Sequence, residues 1–282
     1  MTFQAREVSD GLWQFQAPLW QTNSLLAVRD RVGLLCDPAL MPEEIAAVRT
    51  EAARRAGVLH LLVTHADFDH VCGIALFPEA EIVSGEETAE AIRGSKAAEG
   101  LESAAAEWGA SWVPELRVDR VVGADAEFSC GPFRVSAIDA PSHGREGLGY
   151  VLLDQGVLFP GDHLSAITYP LLAGPLARAR QATERLLEAL DRHELRLVVP
   201  GHGPALSPSD ARRIGEADLA YLDRLREAAE QAVEEGLAHG YALLRVYAVE
   251  PPRPTTPDFE VYDVRAGNAR RVLAELEARI AT

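Results

Sequence analysis

Over the first two-thirds of the chain, apolar residues come in short runs broken by Gly, Pro or polar turns. GLWQFQA, SLLAVRD and RVGLLCDP each predict a strand. PEEIAAVRTEAARRAG then shows helical spacing, with Pro42 at its start, acids in its first turn and Gly57 just past its end. VLHLLV follows as a buried strand, and the strand–helix–strand rhythm indicates an α/β fold. Residues 86–107 are rich in Ala and Glu and predict one helix. FRVSAIDAP, YVLLD and GVLFPGD predict strands, ATERLLEALDRH a helix, and LRLVVPGHG a last buried strand. From about residue 207 the spacing becomes helical. PSDARRIGEADLAYLDRLREAAEQAVEEG and AGNARRVLAELEARI are long amphipathic helices joined by the Pro-rich VEPPRPTTPDF. The expected organisation is an α/β domain over 1–206 and a helical C-terminal appendage over 207–282.

Composition narrows the function classes. With 48% apolar and 25% charged residues the chain has the make-up of a soluble globular protein. A net charge of −16 repels phosphate backbones, which excludes nucleic acid as the expected partner and leaves a small-molecule substrate. No apolar run approaches the roughly 18 residues of a membrane span, and the N-terminus lacks the basic and apolar regions of a signal peptide. Cys36, Cys72 and Cys130 are too few and scattered for a disulfide framework. The expectation is a cytoplasmic protein with reduced thiols and no membrane partner.

Candidate chemistry concentrates where apolar strands end. THADFDH places His65, Asp67, Asp69 and His70 directly after VLHLLV. SAIDAPSHG ends with His143, GVLFPGD with Asp162 and LRLVVPGHG with His202, each beside Gly or Pro that lets the backbone turn sharply. Strand ends on one edge of a sheet converge, and imidazole nitrogens with carboxylate oxygens are the donors that Zn²⁺, Mn²⁺ and Fe²⁺ accept.

In that order and context, His65-x-Asp67-x-Asp69-His70, His143, Asp162 and His202 resemble the signature of the metallo-β-lactamase superfamily over roughly residues 10–205. The resemblance implies an αββα sandwich with two metal ions at one edge. His65, residue 67 and His143 hold the first ion, Asp69, His70 and His202 the second, and Asp162 bridges them. Aspartate at the bridging position resembles the glyoxalase II and lactonase branches. It implies a hydrolase in which a metal-held hydroxide, oriented by Asp69, attacks an ester, thioester or lactone. The helices after 207 resemble the appendages that overhang the site in such hydrolases.

Asp67 departs from the signature, which has histidine there. Either it ligates as a harder donor, shifting preference from zinc toward iron or manganese, or it falls short and leaves the first position incomplete. With Asp67, Asp69, Asp162 and one hydroxide, two divalent ions are formally neutralised, whereas histidine at 67 leaves the cluster one unit positive. Two rival readings stay open: an iron-dependent oxidoreductase, and a degenerate metal-binding scaffold without turnover.

The substrate side is less specified. Arg145 follows His143 by two residues and can pair with an anionic substrate group or form a salt bridge. The apolar segment 163–176, with Tyr169 inside it, can wall the substrate, pack under the C-terminal helices or form a homodimer contact. His60 reads as a hydrogen-bonded core residue, His193 and His239 as surface residues, and Cys72 as a small buried side chain. His163 is open between a supporting role beside Asp162 and none. Cys36 and Cys130 carry no functional assignment.

Overall fold

A computed structural model describes residues 5–112, 115–260 and 263–280. Two sheets pack face to face. The first runs in chain order: β1 (Ala5–Ser9), β2 (Leu12–Gln16), β3 (Asn23–Arg29), β4 (Val32–Cys36), β5 (Val58–Val63), β6 (Glu81–Gly85) and β7 (Arg120–Val122). Strands β1 to β4 are antiparallel, whereas β4 to β7 are parallel. The second comprises β8 (Glu127–Cys130), β9 (Phe133–Ser142), β10 (Glu146–Leu152), β11 (Val157–Phe159) and β12 (Leu197–Val198), antiparallel except for the β11–β12 pair.

The central strands, β4 and β11 among them, read as continuous apolar runs because both of their faces are covered. In β3 and β4, Leu25, Ala27, Leu34 and Cys36 face the second sheet, where they meet Phe133, Val135 and Tyr150. The alternate residues Leu26 and Leu35 face outward, onto Ile45 and Val48 of α1 (Pro42–Arg55). On the far side, Ile138, Val151 and Leu158 pack against Leu186 and Ala189 of α5 (Leu176–Arg192). This is the expected αββα sandwich.

The single helix expected over 86–107 is two, α3 (Glu86–Arg93) and α4 (Ser95–Trp108), which follow the short α2 (Phe68–Val71). They break at Gly94, whose extended backbone ends one helix and starts the next. After Ser207, whose side chain caps the Asp210 N–H, come α6 (Pro208–Glu234), α7 (His239–Tyr247), α8 (Pro257–Glu260) and α9 (Val264–Ile280). These helices share a core with the 163–176 segment. Tyr221 and Leu225 of α6 and Val272 of α9 meet Tyr169, Leu172 and Leu176. Among the described residues, no helix is long and apolar enough to cross a membrane.

Candidate metal centre

The site lies at the carboxyl ends of β4 and β5, where the chain leaves the sheet and the backbone can turn toward a shared point. Asp37, directly after β4, is fully buried in a left-handed conformation (φ 44°). Its Oδ1 accepts from the Thr64 backbone N–H at 2.8 Å, and its Oδ2 from the Thr64 hydroxyl at 2.6 Å. The same Oδ2 lies 2.8 Å from Nδ1 of His70, which fixes that ring with Nε2 aimed into the site. His65 Nδ1 is engaged by Thr64 Oγ1 at 2.9 Å, and His202 Nδ1 by the Trp20 carbonyl at 3.0 Å, so both also turn Nε2 inward.

The remaining side chains come from turns. His143 sits at the β9–β10 tip with φ 57°, and its carbonyl accepts from the Ala173 and Gly174 N–H groups at 2.9 and 2.8 Å. The 163–176 segment is thereby docked on a candidate ligand. Asp162 follows β11, and its carboxylate lies so close to Gly201 that a Cβ there would come within 2.5 Å of Oδ1. Only glycine fits between Val199-Pro200 and His202. The loop carrying His202 is held from the other end of the chain, since Asn23 Nδ2 donates to the Pro200 and Gly203 carbonyls, both at 2.7 Å.

All seven expected residues converge, in two groups joined by one carboxylate. His65 Nε2 and His143 Nε2 lie 3.7 and 3.1 Å from Asp162 Oδ2, and 3.7 and 3.2 Å from Asp67 Oδ2. His70 Nε2 and His202 Nε2 lie 3.0 and 3.3 Å from Asp162 Oδ1, and 3.5 and 3.4 Å from Asp69 Oδ2. Donors about 2.05 Å from a tetrahedral ion stand about 3.3 Å apart, so the spacing suits one ion in each group. His65 Nε2, His70 Nε2 and Asp162 Oδ1 are buried without a hydrogen bond among the described residues. Buried polar atoms left unpaired in this way call for a missing partner. The donor set therefore fits two divalent ions.

The electrostatics point the same way. Burial opposes a charge on His143, yet its hydrogen bonds to Asp162 and Asp67 push it up to about 10. Burial likewise disfavours ionised Asp162, but the surrounding histidines hold its carboxyl far below the usual range. His65, buried and facing His70, is held neutral. Three carboxylates this close demand positive charge at their centre.

Asp67 divides its oxygens. Oδ2 faces His65 and His143, and Oδ1 accepts from Nη2 of Arg145. Arg145 lines the main cavity with its guanidinium directed at this carboxylate. That cavity, about 510 Å³, has Asp67, Asp69, Asp162 and His202 on its floor. Its walls are largely apolar: Trp20, Phe68, Leu171, Ala173 and Phe259. Lys96, the single lysine of the chain, stands at its edge. Tyr169 does not line this space. It borders a cleft of about 40 Å³ that shares His143, Asp162, Leu171, His202 and Phe259 with this cavity, and it stacks edge-on against Tyr221 at 5.4 Å. Of the expected alternatives for the 163–176 segment, the ring of Tyr169 takes the packing under the C-terminal helices, and Leu171 and Ala173 of the same segment line the cavity.

His163 points away, with Nε2 at 3.3 Å from the Pro141 carbonyl, and burial beside His143 lowers it to about 4. Cys72 donates to the Leu40 carbonyl at 3.3 Å and takes no part in the cluster. His60, half-buried, pairs with Glu81. Sequence reasoning missed Asp37, although RVGLLCDP ends an apolar strand in an acid just as GVLFPGD does. It also missed Phe259, which is 57 residues beyond His202 and has no local signal, yet lies against its ring at 5.2 Å.

Comparison with known proteins gives consistent likenesses. A profile described as the metallo-beta-lactamase superfamily matches residues 17–202. The chain is 39% identical over 84 residues to proteins described as probable metallo-hydrolases of Mycobacterium bovis and Mycobacterium tuberculosis. That stretch covers 28% of this chain and 27% of each relative. Among solved structures, a stereoselective inverting sec-alkylsulfatase from Pseudomonas sp. superposes with TM-score 0.72 at 14% identity, covering 97% of this chain and 50% of that one. A metallo-beta-lactamase family protein from Thermus thermophilus gives 0.66 at 18% identity, covering 97% and 95%. A metallo-beta-lactamase from Pontibacter korlensis gives 0.58 at 18% identity, covering 79% and 99%. At these identities the likeness is one of fold.

Proposed function

Because the chain belongs to the metallo-β-lactamase superfamily, we propose that it is a metal-dependent hydrolase acting on an ester, thioester or lactone with an apolar segment beside the cleaved bond. The observation that carries this reading is the division of Asp162, one oxygen to each of two donor groups. In it, His65, Asp67 and His143 hold a first ion, Asp69, His70 and His202 a second, and Asp162 joins them. An aspartate at that joint supports the glyoxalase II and lactonase branches. Zinc suits the histidine-rich set, and the three carboxylates leave iron or manganese open.

When bound, divalent ions at these positions acidify water and polarise the carbonyl under attack. The protein's own groups do the rest. Asp69 lies on the cavity floor with Oδ2 between His70 and His202, and its carboxylate accepts a hydrogen bond from the attacking water and fixes its direction. Trp20, Phe68, Leu171 and Phe259 exclude bulk water and seat the apolar part of the substrate. Arg145 holds Asp67 Oδ1 so that Oδ2 stays turned to His65 and His143. It also returns the positive unit lost when aspartate replaces histidine at 67, so the Asp67–Arg145 pair is charge-equivalent to the family's histidine.

Elemental analysis of protein purified without added metal, alongside hydrolysis of matched oxyester, thioester and lactone substrates, tests this. Two ions per chain with turnover that disappears on chelation are expected. No turnover on any of the three at full metal loading would leave only a binding scaffold. Iron with a visible absorption band that responds to oxygen would favour redox chemistry instead.

A further inference from the structure

A second cluster of donors lies at the opposite end of β5. His60 and Glu81 are register partners on the parallel strands β5 and β6, with His60 Nδ1 2.8 Å from Glu81 Oε2. His60 precedes His65 by five residues, roughly 16 Å along an extended strand, so this cluster is separate from the candidate metal centre. It alternates with Leu59 and Leu61 and so shares the inter-sheet face with Leu62. Opposite it, the second sheet supplies Cys130, the last residue of β8, whose thiol is free and fully buried. The β8–β9 turn is pressed against the imidazole: a Cβ on Gly131 would stand 3.4 Å from His60 Nε2. One nitrogen, one carboxylate oxygen and one sulfur thus lie within 4.8 Å of one another, drawn from both sheets.

We propose that His60, Glu81 and Cys130 form a structural site for a thiophilic divalent cation, zinc above all, that clips the two sheets together at the end remote from the cavity. Zinc accepts all three donor types, and a tetrahedral ion completes its shell with a water. The Glu81 side chain is 37% exposed, so solvent reaches the open position. One thiolate and one carboxylate neutralise the ion, and neutral His60 adds the third bond. Binding replaces the Cys130 S–H bond by an S–metal bond and releases one proton to solvent. Burial holds that thiol up at about 12, an effect that Arg120 offsets and Glu81 reinforces, so without a cation the sulfur stays protonated. The assignment is independent of the hydrolase reading, because it involves neither the cavity nor any residue of the seven.

Cobalt substitution separates the two centres, since the seven residues at the cavity include no sulfur. Co²⁺ added to the metal-free full-length protein should produce a near-ultraviolet thiolate-to-cobalt charge-transfer band in the wild type and in Cys72→Ser. The band should be lost in Cys130→Ser, with one fewer ion bound per chain. Glu81→Gln changes a partly exposed side chain and spares the core. It should weaken the band and lower cobalt stoichiometry at limiting metal, and hydrolysis should be unchanged. Wild-type protein without the band, or a band that survives in Cys130→Ser, would overturn the site. So would a band lost only in Cys72→Ser, which would move the sulfur ligand to the cavity end.

Discussion

Asp67 stands between two histidines and an arginine, and its two oxygens answer to different neighbours. A carboxylate is shorter than an imidazole. The guanidinium behind it removes its freedom to rotate, so one oxygen is kept for the centre. Removing the guanidinium restores that freedom and leaves a third uncompensated carboxylate. Arg145→Met should therefore weaken metal binding at the first group by about tenfold, measured by chelator competition. Asp67→His should abolish the dependence, so that adding Arg145→Met to it costs little further affinity. Strictly additive losses would show that Arg145 acts elsewhere. The Asp67 anomaly was visible in the sequence, but its answer was not. Arg145 is 78 residues away and shows its partner only after the β9–β10 tip is placed beside α2. Asp37 was hidden differently, since it stands outside the His-x-Asp-x-Asp-His run and shows its role only through its bonds to His70 and Thr64.

The strand ends that carry the candidate ligands were legible because buried strands covered on both faces are nearly pure apolar runs. Even β12, reduced to Leu197–Val198, kept that mark in LRLVVPGHG. The break at Gly94 was not legible, because Ala and Glu favour helix on both sides of it. How the C-terminal helices meet the site was also out of reach, since amphipathic spacing gives a buried face and not its partner. Here that partner is the segment after Asp162. Asn268 of α9 accepts from the Leu172 N–H at 2.8 Å and donates to the Pro170 carbonyl at 2.6 Å. Phe259 closes the cavity beside His202. Phe259→Ala should leave metal content intact and raise KM about tenfold for substrates with long apolar groups, from the loss of about 1.4 kcal/mol of apolar contact. An equal rise for short substrates would deny it a wall function.

Arg253, in the Pro-rich stretch before α8, binds both oxygens of Asp218 on α6 at 2.7 and 2.9 Å and donates to the Thr168 carbonyl at 2.6 Å. Burial lifts Asp218 to about 7 against the pull of Arg253. The unfolded carboxyl loses its proton near its ordinary value of about 4. Between those values the folded state binds more protons, so this group's contribution to stability falls as pH rises through the window. The wild-type advantage over Asp218→Asn should shrink from pH 4 to 7 and then level off, as read from urea midpoints at each pH. A difference that does not change with pH would exclude Asp218 as the titrating group.

At the scale of the molecule, the cluster stores repulsion between Asp67, Asp69 and Asp162 that protons or cations must relieve. Chelation of a fully loaded protein should lower Tm on the order of 5–10 °C, since ligand at a hundred times its Kd contributes about 2.7 kcal/mol. Zinc should restore it, and an unchanged Tm would mean that the ions add nothing to folding.

The clasp of Asn23 on the carbonyls of Pro200 and Gly203 joins residues 177 and 180 positions apart. A ribosome makes that intervening stretch in roughly ten to forty seconds. Once residue 70 has been made, and for the rest of that time, His65, Asp67, Asp69 and His70 are present while the loop that carries His202 does not yet exist. Loading of the second donor group thus becomes a certificate of completion: a chain cut short before Pro200 carries six of the seven donors but lacks His202 and both carbonyls that Asn23 holds.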